Sequence, residues 1–340
     1  MLTQLDVDSI ASEIAAGYIN IKTHPTAQLY ILNYSPKAQY AWRWNDATEQ
    51  CRGLIVTHDW QIVARPFRKF FSLEQLDGIV PNEPFEVYEK LDGSLGILYY
   101  LDGVPAIATR GSFVSTQAIR ATEIYQKKYA HIHTNPAHTY LFEIIFRENR
   151  IVVNYGDMED LILIAVIDTA TGKDVPLPDI GFTVVKRYTN FHEFSALTKH
   201  QDNEREGYVA RFESGSRVKI KFEEYKRLHK LLTGVSEKDV WEAMKIGKNL
   251  SNMSDRIPED FRIWLLQTEA HLRDSYHDIH RIAQAAMRNF SSRKDAAAYF
   301  NTCSYPAVMF ALLDNRDTSA LIWKIIKPRG NTYRYIAADS

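Results

Sequence analysis

Apolar residues come in short runs as far as Gly234 and at helical spacing beyond it. In the first part, runs rich in branched and aromatic side chains predict strands at 29–33, 53–57, 61–65, 85–90, 94–101, 104–109, 140–146, 151–155, 161–168, 207–212 and 217–222. Asp92-Gly93 and Asp102-Gly103 mark tight turns, because Gly accepts positive φ cheaply. His58-Asp59-Trp60 and Glu213-Ser214-Gly215 join two further pairs as hairpins. Few helices interrupt, notably over 115–129 and 191–200. The fold class expected for residues 1–234 is α+β, built on antiparallel sheets.

Residues 235–340 read as an all-α domain. Trp264, Leu265, Thr268 and Leu272 mark one helical face; Ile279, Ile282, Ala286 and Phe290 mark another. Ser291 or Ser292 can cap a following helix, and Asp317 can cap one over 318–326, which Pro328 ends.

Composition narrows the class. With 45% hydrophobic and 24% charged residues, the 340-residue chain is globular, not disordered or fibrous. No apolar run approaches the ~20 residues that span a bilayer. Residues 1–20 carry three acids and no Lys or Arg, so no targeting peptide is expected there. Cys51 and Cys303 are too few for a disulfide framework, and a reducing compartment is expected. Lys and Arg total 41 against 42 acids. The split at Gly234 leaves 26 basic and 29 acidic residues before it, then 15 and 13 after it. Neither part is a polycation, so nucleic-acid binding would rest on local clusters.

The sharpest local feature is Glu89-Lys90-Leu91-Asp92-Gly93-Ser94-Leu95. By itself it is a hairpin turn with a lysine. Downstream come Phe142-Glu143 in an apolar strand, Glu206-Gly207-Tyr208-Val209 opening another, and Val218-Lys219-Ile220-Lys221. Lys219 and Lys221 are two apart on a strand and so share a face. A lysine, two acids and a lysine pair, each on or beside a strand, form an ordered set that chance does not readily supply.

That set resembles the covalent nucleotidyltransferases, the nucleic-acid ligases and capping enzymes. Cys51-Arg52-Gly53-Leu54, Arg65-Pro66-Phe67-Arg68-Lys69-Phe70-Phe71, Lys90 to Leu95, Arg110-Gly111-Ser112 and Asn149-Arg150-Ile151-Val152 narrow the resemblance to the phage-type RNA ligase 1 family, over roughly residues 29–230. It implies an antiparallel-sheet adenylyltransferase domain over 1–234; for the helical domain over 235–340 the resemblance is architectural alone, and a role in RNA specificity is expected there. The implied activity is that of an RNA ligase (ATP), joining 5′-phosphate and 3′-hydroxyl ends of single-stranded RNA in RNA or tRNA repair. Lys90 would take AMP from ATP, pass it to the RNA 5′-phosphate, and the 3′-hydroxyl would then displace it. Lys219 and Lys221 would contact the α-phosphate, and Tyr34, Arg52, Lys69 and Arg110 would line the nucleotide site. Glu143 would meet the ribose, and Glu206 would hold Mg2+ or Mn2+ through water. Asp92 and Gly93 would present Lys90, and Tyr225 would support ligation. The amine must attack unprotonated against a reference pKa of ~10.4. Lys219, Lys221, Lys69 and a bound metal are expected to lower it.

Arg110 stands where the best-known members carry lysine; its planar fork implies altered geometry with the charge kept. The implied partners are single-stranded RNA, a broken tRNA among the candidates, and an end-healing kinase/phosphatase. A monomer in the cytoplasm, the host's if the source is viral, is expected, without membrane association. Two other readings stay open: a DNA-sealing or fungal-type tRNA ligase with a different acceptor, and a non-catalytic nucleotide- or RNA-binding module. Phe70 and Phe71 suit base stacking or core packing. His271, His277 and His280 suit a polar helix face better than a metal site. Lys324, Lys327 and Arg329 suit helix C-termini or phosphate contacts.

Overall fold

The computed structural model describes residues 5–250, 257 and 259–328. They fall into two compact units that divide between His229 and Lys230.

The first unit opens with helix α1 (Val7–Ala15) and a four-stranded sheet in sequence order, β1 (Ile19–Thr23), β2 (Leu29–Tyr34), β3 (Arg52–Thr57) and β4 (Ile62–Ala64). Two short helices, α2 (Pro36–Tyr40) and α3 (Asp46–Gln50), link β2 to β3. Then come β5 (Phe71–Ser72), β6 (Phe85–Lys90), β7 (Ser94–Leu101), β8 (Val104–Thr109) and helix α4 (Thr116–Lys128). After these follow β9 (His138–Ile145), β10 (Asp160–Asp168), β11 (Asp174–Val175), β12 (Arg187–Tyr188) and helix α5 (Phe194–Lys199). The hairpin β13 (Gly207–Phe212) and β14 (Arg217–Lys221) leads into helix α6 (Glu223–Gly234). These strands make two five-stranded sheets, ordered β11-β10-β9-β7-β8 and β12-β6-β13-β14-β5. The pairs are antiparallel except β14 with β5, which run parallel.

Burial explains the sheets. The central strand β9 (HTYLFEII) is apolar on both faces, with Leu141, Phe142 and Ile144 fully buried, and Glu143 is its one carboxylate. Helix α4 covers one face with Ala121, Ile124 and Tyr125, packed with Phe142 and Leu163. On the other face Ile97, Leu141 and Ala165 pack with Ile31 and Ile55 of the first sheet.

The segment 151–155 is not a strand. Its backbone donors at Val152 and Val153 bond the Asp92 carboxylate at 2.7 and 2.8 Å instead of a ladder partner. Elements unforeseen in the sequence include α1, the short helices α2 and α3, and β1; β1 (INIKT) alternates Ile19 and Ile21 with polar residues but is an edge strand that buries only Ile19.

Helix α2 ends in an unusual way. Ser35 caps its start, accepting from the Ala38 N–H, and Pro36 is its first residue. At its other end the Arg43 N–H bonds the Ala38 carbonyl and the Trp42 N–H the Gln39 carbonyl. That bonding pattern is the Schellman motif, whose left-handed position is normally glycine. Trp42 occupies it at φ 52°, a conformation that costs a residue with a Cβ roughly 1–2 kcal/mol.

The second unit contains α7 (Glu237–Lys245), α8 (Glu259–Ala285), α9 (Arg293–Phe300), α10 (Pro306–Leu313) and α11 (Ser319–Ile325). Ile279, Ala283, Phe300, Val308, Met309 and Ile322 form its core. Ser292 caps α9. Asp317 accepts from the Ser319 N–H at 3.0 Å, but the capping position of α11 is Thr318, whose side chain makes no cap bond. Among the described residues no group of three His, Cys, Asp or Glu side chains is gathered to hold a metal, so the α8 histidines form no such site. No described helix is long and apolar enough to cross a membrane. Arg329 lies outside the described residues.

Candidate active site

Strand register assembles the site. On β13, Gly207 lies opposite Lys90 of β6 on one side and Lys221 of β14 on the other. Glu206, immediately before it, therefore projects between two lysines. Lys90 Nζ is 2.7 Å from Glu206 Oε2, and Lys221 Nζ is 2.9 Å from Oε1. Gly207 has φ 153°, and a Cβ there would lie 2.0 Å from the Ile220 carbonyl oxygen. Only glycine lets β13 and β14 approach this closely at the point where the three charges meet.

The turn after Lys90 is fixed from two sides. The Gly93 N–H donates to Glu143 Oε1 at 2.9 Å, and a Cβ on Gly93 would sit 2.5 Å from the Ile144 carbonyl oxygen. Asp92 is buried, and its Oδ2 takes the two backbone donors of 152–153. Its Oδ1 accepts from the Tyr225 hydroxyl of α6 at 2.7 Å, and its own N–H donates to the Tyr155 hydroxyl at 2.8 Å. Asn149 continues the frame: Ser94 Oγ donates to its Oδ1, and its Nδ2 donates to the Ile144 carbonyl. Asp92, Tyr225 and the Asn149 segment thus brace the turn after Lys90 from behind, while Gly93 itself lines the cavity.

A wall of cations stands beside Lys90. Lys219 shares a face of β14 with Lys221, and its Nζ lies 5.1 Å from the Phe70 ring. The Arg52 guanidinium rests over Phe67 at 4.9 Å and Phe70 at 5.6 Å. Lys69 Nζ sits among Phe71, Trp44 and Tyr34 at 4.9, 5.1 and 5.8 Å. Arg110 Nη1 donates to the Tyr34 hydroxyl at 3.0 Å.

Protonation departs from the sequence-based expectation for Lys90. Burial pulls its pKa down, but the Glu206 and Glu143 carboxylates outweigh burial and raise it. Lys90 is therefore an ammonium ion here, because its nearest neighbours are acids. The effect expected of crowded cations falls on Lys219 instead. Burial, then Lys69, Lys90 and Arg52, drive its pKa down to about 6. Burial also pushes Glu143 up to about 7, with Lys90 opposing. Glu206 stays below the usual carboxylate range: burial would raise it, but Lys90 and Lys221 outweigh that. Burial lowers Arg52 to about 10.

A cavity of about 220 Å³ lies in front of this cluster, lined by Lys90, Glu143, Lys219, Lys221, Arg52 and Arg110. Lys69 opens onto an adjoining groove of about 1150 Å³, and Tyr34 onto another space of about 330 Å³. Glu206, Asp92 and Tyr225 stand behind the lining. Two further cations reach the cavity, Arg211 and Arg217, joined through Asp174. Arg217 was detectable in advance: it is two residues before Lys219 and falls on the same strand face.

An enclosed lysine, carboxylates that orient it, and an excess of cations around an empty volume suit the transfer of a phosphorylated group. The antiparallel sheets are those of the α+β class expected from the sequence. A family model described as RNA ligase, of the T4 RNA ligase 1 type, matches residues 50–226, more than half of the chain. The chain belongs to that RNA ligase family. It is 26% identical over 247 residues to a putative bifunctional polynucleotide kinase/RNA ligase of Autographa californica nuclear polyhedrosis virus, covering 62% of this chain and 35% of the relative. It is 30% identical over 198 residues to a putative RNA ligase of Thermovibrio ammonificans, covering 51% of this chain and 50% of the relative. The chain spans about a third to a half of the length of the curated relatives it matches. Among solved structures, an archaeal ATP-dependent RNA ligase is similar at 13% identity and TM-score 0.47, covering 88% of this chain and 86% of that one. A putative ATP-dependent DNA ligase from Aquifex aeolicus is similar at 16% identity and TM-score 0.46, covering 87% of each chain.

Proposed function

We propose that the protein is an ATP-dependent RNA ligase working through Lys90. The observation that carries this reading is the Lys90–Glu206–Lys221 cluster, whose two lysines line a cavity together with Lys219, Arg52 and Arg110 while Glu206 braces them from behind. After losing its proton, Lys90 Nζ attacks the α-phosphorus of ATP; the N–P bond forms and pyrophosphate leaves. An oxygen of an RNA 5′-phosphate then attacks that phosphorus, the N–P bond breaks, and Lys90 regains a proton. Last, an RNA 3′-hydroxyl attacks the 5′-phosphorus, loses its proton, and AMP leaves. Charge accumulates on the transferred group throughout, so fixed cations are the main catalytic resource. Lys219 and Lys221 take the α-phosphate oxygens, and the phosphate's negative charge would restore to Lys219 the proton that burial and its cationic neighbours disfavour. Glu143 holds the Gly93 N–H and offers its other oxygen to the nucleotide ribose.

Glu206 fits a divalent cation such as Mg2+ or Mn2+. It is buried and both its oxygens already face ammonium groups. With no cluster of three protein donors among the described residues, phosphates and water would supply the other ligands. Glu206 would be the protein ligand to such an ion, whose charge would favour the neutral form of Lys90 and offset phosphate charge.

The substrate in this reading is single-stranded RNA, a cleaved tRNA among the candidates, with ends prepared by a separate kinase/phosphatase. The helical unit selects the RNA, and deletion of 235–340 tests that: unchanged substrate preference would reject the role. A monomer is part of the same proposal, and a reducing compartment such as the cytoplasm agrees with the free thiols of Cys51 and Cys303. The deciding experiment incubates the protein with α-labelled ATP and Mg2+. A denaturation-resistant label on the wild type and none on Lys90→Ala is expected; no label, or equal labels, removes the proposal.

A further inference from the structure

The Trp42 ring lies 5.3 Å from Phe71 and 6.2 Å from Trp44, yet remains 52% exposed, and Tyr40 beside it is 90% exposed. Trp44 meets Tyr34 edge-on at 5.1 Å. One aromatic chain therefore runs from the surface at Trp42 to Tyr34, whose ring and hydroxyl meet the Lys69 and Arg110 cations. Its outer ring is a tryptophan in a left-handed helix-ending position that glycine would occupy without strain. Covering Phe71 and Trp44 requires no residue at that backbone conformation to be an indole. A half-exposed aromatic face continuous with a cationic site suits a flat, anionic ligand.

We infer that Trp42, with Tyr40, is a stacking platform for the unpaired bases at the 5′-phosphate end of the donor RNA; the inference rests on the activity proposed above. Which end arrives there follows from in-line displacement. In the first step the lysine amine enters opposite the departing pyrophosphate. In the second the RNA 5′-phosphate enters opposite the departing lysine, and so occupies the side that pyrophosphate left. We assign that side to Lys69 and Arg110, along which a triphosphate held by its charge would extend away from Lys90. Trp42 lies just beyond Lys69, across Phe71 and Trp44. A strand whose 5′-phosphate lies at Lys219 would pass its first bases over this ring.

The test uses the full chain, a 5′-phosphorylated single-stranded oligoribonucleotide, and the same oligonucleotide with abasic positions at its 5′ end. Trp42→Gly is expected to form lysyl-AMP as the wild type does and to be at least as heat-stable. Its half-saturating donor concentration for AMP transfer should rise about tenfold, the size of one base–aromatic stack. Trp42→Phe should recover most of the loss, and the abasic donor should be insensitive to the substitution. Trp42→Leu keeps an apolar cover without a ring, so it decides the matter if Trp42→Gly unfolds. Wild-type donor dependence in Trp42→Leu overturns the inference. Failure of the wild type to form lysyl-AMP would instead sink the proposed activity. The platform is then judged by oligonucleotide binding alone, measured by fluorescence anisotropy, where equal affinity of wild type and Trp42→Leu overturns it.

Discussion

Lys90 Nζ lies 2.7 Å from Glu206 Oε2, and this contact holds the buried amine in its protonated form. Glu206→Gln removes an anion that favours the ammonium, so the Lys90 pKa should fall. The pH dependence of Lys90 acylation by acetic anhydride in the nucleotide-free protein, read by mass spectrometry, should shift to lower pH. An unmoved midpoint would show that Glu206 does not control the amine.

Lys219 makes the opposite prediction. Its folded-state pKa of about 6 lies below the 10.5 of an unperturbed lysine. Between these values the unfolded chain binds the extra proton, so this group's contribution makes stability rise with pH. Lys219→Met removes that contribution. The variant should exceed the wild type in stability by a margin that is largest at or below pH 6 and shrinks toward pH 10. Urea unfolding at pH 6 and pH 9 measures the margin, and lysyl-AMP formation should be lost in the same variant.

Asp92 is a structural acid with a catalytic consequence. Asp92→Ala strands the Val152 and Val153 N–H groups and the Tyr225 hydroxyl. A loss of about 3–5 kcal/mol is expected from three orphaned groups. Tyr225→Phe leaves Asp92 its two backbone donors and should cost only about 1–2 kcal/mol. Chemical denaturation separates the two, and equal losses would contradict the bonding described.

Arg110 binds the Tyr34 hydroxyl while lining the cavity. Arg110→Lys keeps the charge and gives up the fork, so KM for ATP should rise about 2–10-fold with kcat for adenylylation nearly unchanged. Arg110→Ala should lose about 10–100-fold in kcat/KM. Initial-rate kinetics of label transfer to Lys90 distinguish them.

Much of this was legible in the sequence. The bounds of β6, β7, β8 and β13 agree with the apolar runs and Asp-Gly turns, because local pattern and turn chemistry point the same way there. Lys90, Glu143, Lys219 and Lys221 converge because strand pairing brings distant segments together in register. Other features depend on tertiary partners. The 151–155 segment has strand composition but spends its donors on Asp92. β1 needs only one buried residue to be held by β2. The sign of the Lys90 shift depends on whether acids or cations stand nearest, a matter of ångströms that residue spacing does not encode.

The alignment of Lys90, Gly207 and Lys221 across three strands also limits how the chain can change length. One residue added inside β13 would turn every later side chain of that strand to the opposite face, taking Arg211 out of the cavity. Insertions are accommodated at hairpin tips such as 102–103 and 213–216, which makes those two turns the places to graft a tag, a reporter or a second nucleic-acid-binding module.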